Sequence, residues 1–135
     1  MSAKAQSITG WALTVLVGLF LIGASEVPKF LDFPGKAEMV TKLQIPTNLL
    51  PTLGVIEIAV AVLFLIPRTA FLGAILATGY LGGALWTHLR VDDTWLFPVI
   101  IGSVIWIALG LRNPAIFMLA LGNEQPQKSD IPGHT

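Results

Sequence analysis

The sequence predicts an all-α integral membrane protein: an antiparallel four-helix bundle with a short surface helix in its first loop. Three observations carry that prediction. Of 135 residues, 54% are hydrophobic and 12% charged, with a mean hydropathy of +0.77, whereas soluble domains are roughly 25% charged. Four apolar runs of about 17 to 21 residues dominate the chain, close to the ~20 residues that cross ~30 Å of hydrocarbon as a helix. The runs lack strand alternation, and in lipid only helices and closed barrels satisfy every backbone group.

The first run is Ile8 to Ser25, "ITGWALTVLVGLFLIGAS". Lys4 precedes it, as in a signal peptide, but Ser25-Glu26-Val27-Pro28 offers no small-x-small cleavage site, so it reads as a retained helix. The second run extends from Leu49 to Ile66, the third from Thr69 to Leu89 and the fourth from Trp95 to Leu111. Pro67-Arg68 alone joins the second and third, which demands a tight antiparallel hairpin. "RVDDT" joins the third and fourth.

The first loop is longer, "EVPKFLDFPGKAEMVTKLQIPTN". Within it, Gly35 to Gln44 reads as a short helix along the membrane surface, with Met39, Val40 and Leu43 as its apolar face and Glu38–Lys42 as an i,i+4 pair. After the fourth run, Asn113-Pro114 opens a short segment, "AIFMLALG". Residues 1–122 thus form one domain, and 123–135, "NEQPQKSDIPGHT", a disordered tail.

Small residues mark the faces where membrane helices meet. Gly10, Thr14 and Gly18 share one side of the first run, and Gly54, Glu57 and Ala61 one side of the second. Gly73, Ala77, Tyr80, Ala84 and His88 form a stripe on the third, with Gly79, Gly83 and Trp86 on a second stripe. The Gly79–Gly83 pair suits a contact either within the protomer or between protomers. Trp11, Trp86, Trp95 and Trp106 read as belt or packing residues.

Charge excludes some classes and leaves others open. Formal net charge is zero and the eight Lys and Arg are scattered, so nothing suggests nucleic acid. The absence of cysteine removes disulfides, thiol redox and iron–sulfur ligation. With His134 in the polar tail, a histidine pair gripping haem or zinc within one chain is not expected either, so no intrinsic cofactor is expected. Orientation is balanced: Lys4, Arg68, Arg112 and Lys128 oppose Lys29, Lys36, Lys42 and Arg90. Arg68, in the shortest loop and without a neighbouring acid, tilts the termini towards the cytoplasm.

One residue resists a purely lipid-facing account. Glu57 sits in the middle of "TLGVIEIAVAVLFLIP". A central ionisable residue costs ~3 kcal/mol on insertion, and the twelve Leu, Ile, Val and Phe of Leu49–Ile66 offset this by about 4–7 kcal/mol at most. Insertion therefore survives, with the acid facing the bundle. Glu57 lies ten residues before Pro67 and Tyr80 twelve after Arg68, so their depths differ by only ~3 Å and the phenol can meet the carboxylate. Nearer the first loop come His88 and Arg90, and the end of the first run brings Ser25, Glu26, Lys29 and Asp32 to that side. The expected arrangement is a funnel: Lys29 and Arg90 at the rim, His88 at the neck, Tyr80 and Glu57 at the bottom. Glu57 then either ties two helices together or serves a ligand or proton. The two acids of "VDD" have no third ligand nearby and make a weak metal site.

The segments "ASEVPKFLDFPG", "LGVIEIAVAVLFLIPRTAFLGAILATGYLGGALWTHLR" and "LRNP" resemble the DoxX-like family of small membrane proteins, over most of residues 11–114. The resemblance implies a four-helix bacterial inner-membrane protein. Some relatives are subunits of quinone-linked oxidoreductases such as thiosulfate:quinone oxidoreductase; a thiol mechanism does not carry over to a chain without cysteine. The leading expectation is an intramembrane polar pocket of Glu57, Tyr80, His88, Lys29 and Arg90 that binds a hydrophobic or quinone-like small molecule, as subunit or helper of a redox system. The alternatives are a proton-coupled small-molecule transporter using Glu57, an intramembrane enzyme using it as acid or base, and a structural partner subunit. The expected partners are the lipid bilayer, the small molecule, and an oxidoreductase subunit or a second copy of the chain.

Overall fold

The computed structural model describes residues 1–25 and 27–122. The tail expected at 123–135 and the rim residue Glu26 lie outside the described residues. Among those described, all regular structure is helical: α1 (Ala3–Leu19), α2 (Val27–Phe30), α3 (Lys36–Leu43), α4 (Leu50–Leu65), α5 (Ala70–Leu89), α6 (Leu96–Arg112) and α7 (Ala115–Ala120). A π-helical stretch, Phe20–Ser25, prolongs α1.

Local chemistry sets the boundaries. The Ser2 hydroxyl caps α1 by accepting from the Ala5 amide at 3.2 Å. Pro51 occupies the first turn of α4, where its missing N–H costs nothing. Between α4 and α5, the Thr69 hydroxyl donates to the Leu63 carbonyl at 2.8 Å and closes the expected hairpin. Gly35 (φ 91°) and Gln44 (φ 52°) bracket α3 in left-handed conformations. Glycine adopts that region freely, so the surface helix starts where the sequence places it.

The long helices pack side by side: α1 against α6 and α4, and α5 against α4 and α6. The core between them is built from Val17, Leu21, Ala61, Phe64, Ile105 and Leu109, with alanines of α5 and α6 admitting close approach. Gly10 and Gly18 lie at contacts as expected: a Cβ on Gly10 would stand 2.8 Å from the Arg112 amide nitrogen, and one on Gly18 2.7 Å from a Leu65 methyl. Gly73 is tighter still, against the Phe64 backbone. The second α5 stripe differs. A Cβ on Gly79, Gly82 or Gly83 would meet nothing within 4 Å, so within the protomer no helix closes on the Gly79–Gly83 pair.

The outward faces are apolar. Ile8, Leu16, Val55, Ile107 and Trp86 are all more than half exposed, an arrangement that water would penalise and hydrocarbon would not. Among the described residues, three helical stretches are long and apolar enough to cross a membrane: Ala3–Ser25, Thr47–Leu65 and Ala70–Leu89; α6, with 17 residues, is shorter. The protein is a multi-pass membrane protein built from apolar helices.

The glycines supply a test of this packing. Gly73→Ala should destabilise the protein by about 1–3 kcal/mol, the usual cost of overpacking, because its methyl group collides with backbone. Gly82→Ala should be neutral or stabilising by up to ~1 kcal/mol, as expected for an open helical site. Thermal unfolding of both variants in mild detergent separates the two outcomes.

Candidate functional site

The site is assembled from three helices and one irregular turn. In the Phe20–Ser25 stretch the hydrogen bonds span five residues instead of four, which widens the helix. Beyond it, α2 packs against α4, and Lys29 on α2 turns inward to Glu57. Its ammonium donates to the Ser25 carbonyl at 3.0 Å, to the Ser25 hydroxyl at 3.2 Å, and to Glu57 Oε2 in a short ion pair. From α5 the Tyr80 hydroxyl donates to the same Oε2 at 2.6 Å. Glu57 is 2% exposed.

These residues form part of the wall of a cavity of about 540 Å³. Its other walls are mostly apolar, among them Phe20 of the π-helical stretch and Phe97 of α6, whose rings meet edge-to-face at 5.2 Å. Met39 and Leu43 of α3 also line it, so the surface helix lies over the cavity. Gly79 and Gly83 line it too and are exposed; the glycine stripe therefore leaves an opening along α5.

His88 lines the cavity as well. Its Nδ1 lies 2.9 Å from Asp93 Oδ2, and the Lys42 ammonium donates to Asp93 Oδ1 at 2.6 Å. The expected Glu38–Lys42 pair is thus replaced by a tertiary one, since Asp93, with His88 as a second partner, lies within reach of Lys42. The Lys42 hydrogen bond, with help from the Thr94 backbone and His88, holds the Asp93 carboxyl down to about 2. Arg90 does not line the cavity. Its Nη2 donates to the carbonyls of Leu43 at 2.7 Å and Gln44 at 3.0 Å, anchoring the end of α3. Of the five residues expected at the site, Glu57, Tyr80, Lys29 and His88 share one cavity, while Arg90 fastens its cover.

Sequence reasoning placed Lys29 at the rim, and the structure brings it down to Glu57. The missed signal is physical. A carboxylate sealed in an apolar interior needs a cation, and Lys29 is the nearest one reachable from the end of α1. Ser25, expected on that side, does join the site, whereas Phe20, Phe97 and Asp93 escaped notice as parts of it; only their positions in the folded chain reveal them. Among the described residues, no three His, Cys, Asp or Glu side chains cluster as metal ligands.

Residues 12–109 match the DoxX-like family. The chain belongs to the DoxX-like family. The match runs from the second half of α1 through most of α6, and takes in every residue of the cavity described above. No curated protein and no solved structure gives a significant match, so the geometry of this DoxX-like protein has to speak for the site by itself.

The ammonium has three acceptors among described residues, as many as its three N–H groups can serve. A carboxylate has room for about four hydrogen bonds, and Oε2 already takes two. An incoming polar group therefore finds acceptors more readily than donors.

Breaking one partner of a buried ion pair typically costs ~3–5 kcal/mol because the other charge is left stranded. Lys29→Met should accordingly lower the unfolding temperature in detergent more than Lys29→Met combined with Glu57→Gln, which removes both charges. The Asp93 contacts have a pH signature. With a carboxyl held at about 2, against ~3.9 in an unfolded chain, their contribution to α3 docking is complete above pH ~4 and lost as pH falls through about 2. Hydrogen exchange at the α3 amides should show that loss, and Asp93→Asn should abolish the pH dependence.

Proposed function

We propose that this DoxX-like protein binds a hydrophobic small molecule with a polar head group in the cavity at Glu57, and that it serves a redox system as subunit or helper. A quinone-type molecule is the favoured ligand. The single observation that carries the reading is an acid, Glu57, ion-paired to Lys29 and hydrogen-bonded by Tyr80 at the wall of a largely apolar cavity of about 540 Å³. Ligand pockets of 300–1,000 Å³ with apolar walls and a few convergent polar groups are the usual form of small-molecule sites.

In this reading all four long helices cross a bacterial inner membrane as an antiparallel bundle, with the termini in the cytoplasm. The ligand's tail lies along Phe20, Phe97 and the leucines, and its head faces Glu57 and Tyr80. His88, held by Asp93 at Nδ1, offers Nε2 towards the cavity mouth as a proton relay to the rim. Lys29 and Tyr80 both direct their protons at Glu57, so a hydroxyl head, as in a quinol, suits the site better than a carbonyl.

Proton-coupled transport through Glu57 is the other reading, and the ion pair weighs against it. An acid that exchanges protons for cations has to give up its charge to solvent and to substrate in turn, and Lys29 already occupies that carboxylate. Any net charge carried by Glu57 alone is neutralised on the spot.

The decisive experiment is ligand binding to purified full-length protein in mild detergent, followed by tryptophan fluorescence and mass spectrometry of retained molecules. A short-chain quinol should bind, and about 10-fold more tightly than its quinone, the equivalent of ~1.4 kcal/mol expected from one hydrogen bond to a charged acceptor. Glu57→Gln should erase that preference. Gly83→Leu should fill the opening and abolish binding while leaving the fold intact. Failure of both quinol and quinone to bind, with Glu57→Gln indistinguishable from wild type in cells, would reject the proposal.

A further inference from the structure

At the opposite end of the molecule, α1, α5, α6 and α7 enclose a second cavity of about 810 Å³. Its walls include Trp11, Phe71, Trp106 and Phe117, and it contains two arginines, Arg68 and Arg112. Arg112 does not reach out to water along the shortest path. Its Nη1 donates to the buried Thr14 hydroxyl at 3.1 Å and to the Phe64 carbonyl at 3.4 Å, and its guanidinium lies 4.0 Å from the centre of the Trp11 ring. Thr14 is itself fixed, donating to the Gly10 carbonyl at 2.8 Å.

The guanidinium is thus held in place on one edge, yet among the described residues it meets no carboxylate. A guanidinium has five N–H donors, and Nη1 accounts for the two contacts just described. Arg68, exposed in the α4–α5 turn, makes no ion pair among the described residues either. Among the described residues, the acids Asp32, Glu57, Asp92 and Asp93 belong to the other end, as does Glu38 on α3. There, Lys29, Lys36 and Lys42 each have an acidic partner. The two ends therefore differ: at one, three lysines are paired with acids and Arg90 is held by two carbonyls. At the other, two arginines line a largely apolar groove with no acidic partner among the described residues. The C-terminus of α6 offers Arg112 a partial negative charge, but a helix end does not supply the two oxygens that a planar guanidinium engages side by side.

We propose that this groove binds an anionic phospholipid, whose phosphate bridges Arg112 and Arg68 while an acyl chain lies against Phe71, Trp106 and Phe117. Arginine suits the phosphate because its fork of donors matches two phosphate oxygens. The aromatic walls suit a chain entering from the bilayer. α7 closes the groove from outside, and its exposed Leu119, with Leu121 just beyond its end, places it at the level where head groups meet acyl chains.

Native mass spectrometry of the full-length protein, delipidated in mild detergent and titrated with phosphatidylglycerol or phosphatidylcholine, tests this directly. Wild type should retain phosphatidylglycerol preferentially, by about five-fold for each arginine engaged. Arg68→Gln should lose about five-fold of that preference, and Arg112→Lys, which keeps the charge but not the fork, should weaken retention as well. Arg68 is exposed and makes no buried contact, so its variant decides the matter even if Arg112 variants unfold. Quinol binding at the Glu57 cavity should be unchanged in Arg68→Gln, which keeps the two sites separable. Equal retention of both lipids by wild type, or undiminished preference in Arg68→Gln, would overturn the proposal. Displacement of phosphatidylglycerol by equimolar inorganic phosphate would overturn the lipid as occupant.

Discussion

An ion pair between Lys29 and Glu57 governs the architecture of this small protein. The carboxylate belongs to a residue only 2% exposed, a degree of burial at which a bare charge is intolerable. Once it is paired, everything around it has to be arranged so that the ammonium can reach. The widened turn after α1, the packing of α2 on α4 and the approach of Tyr80 from α5 all serve that one requirement. Replacing such a pair by well-packed apolar residues is often neutral or stabilising. Its presence in a chain with only sixteen acidic and basic residues argues for a use beyond holding helices together.

A pocket results from the same arrangement. Helices that pack through glycine and alanine leave no room, as at Gly10, Gly18 and Gly73. Around Glu57 a cavity remains between the helices, and a Cβ on Gly79 or Gly83, the α5 glycines that line it, would meet nothing within 4 Å. The cover over this space is fastened independently. Arg90 ties down the last turn of α3 through two carbonyls, and Lys42 meets Asp93. Those contacts span about fifty residues of sequence and join the first loop to the third.

Much of this was legible in the sequence because hydropathy and hairpin geometry are strong, local signals. The runs around Glu57 and Tyr80 flank a two-residue turn, so counting from Pro67 and Arg68 gave their depth, and the two residues do meet. The same counting failed for Lys29. It lies beyond the end of a regular helix, and depth cannot be counted at ~1.5 Å per residue through a π-helical stretch. Lys42 shows a different limit. Its i,i+4 neighbour Glu38 was visible in sequence, but tertiary structure brought Asp93 within reach, with His88 already beside it. The Gly79–Gly83 spacing shows a third: the pattern of small residues is the same whether a helix or an empty space lies opposite.

The irregular stretch Phe20–Ser25 has a further implication for how sequences of this kind can diverge. Each residue added to or removed from a helix rotates everything beyond it by about 100°. Between Phe20 and Lys29, chain length rather than side-chain identity dictates where the ammonium falls. That segment should tolerate exchanges of one apolar residue for another yet resist gaps, whereas the turn at Leu31–Gly35, which bears no such duty, should be free to lengthen or shorten.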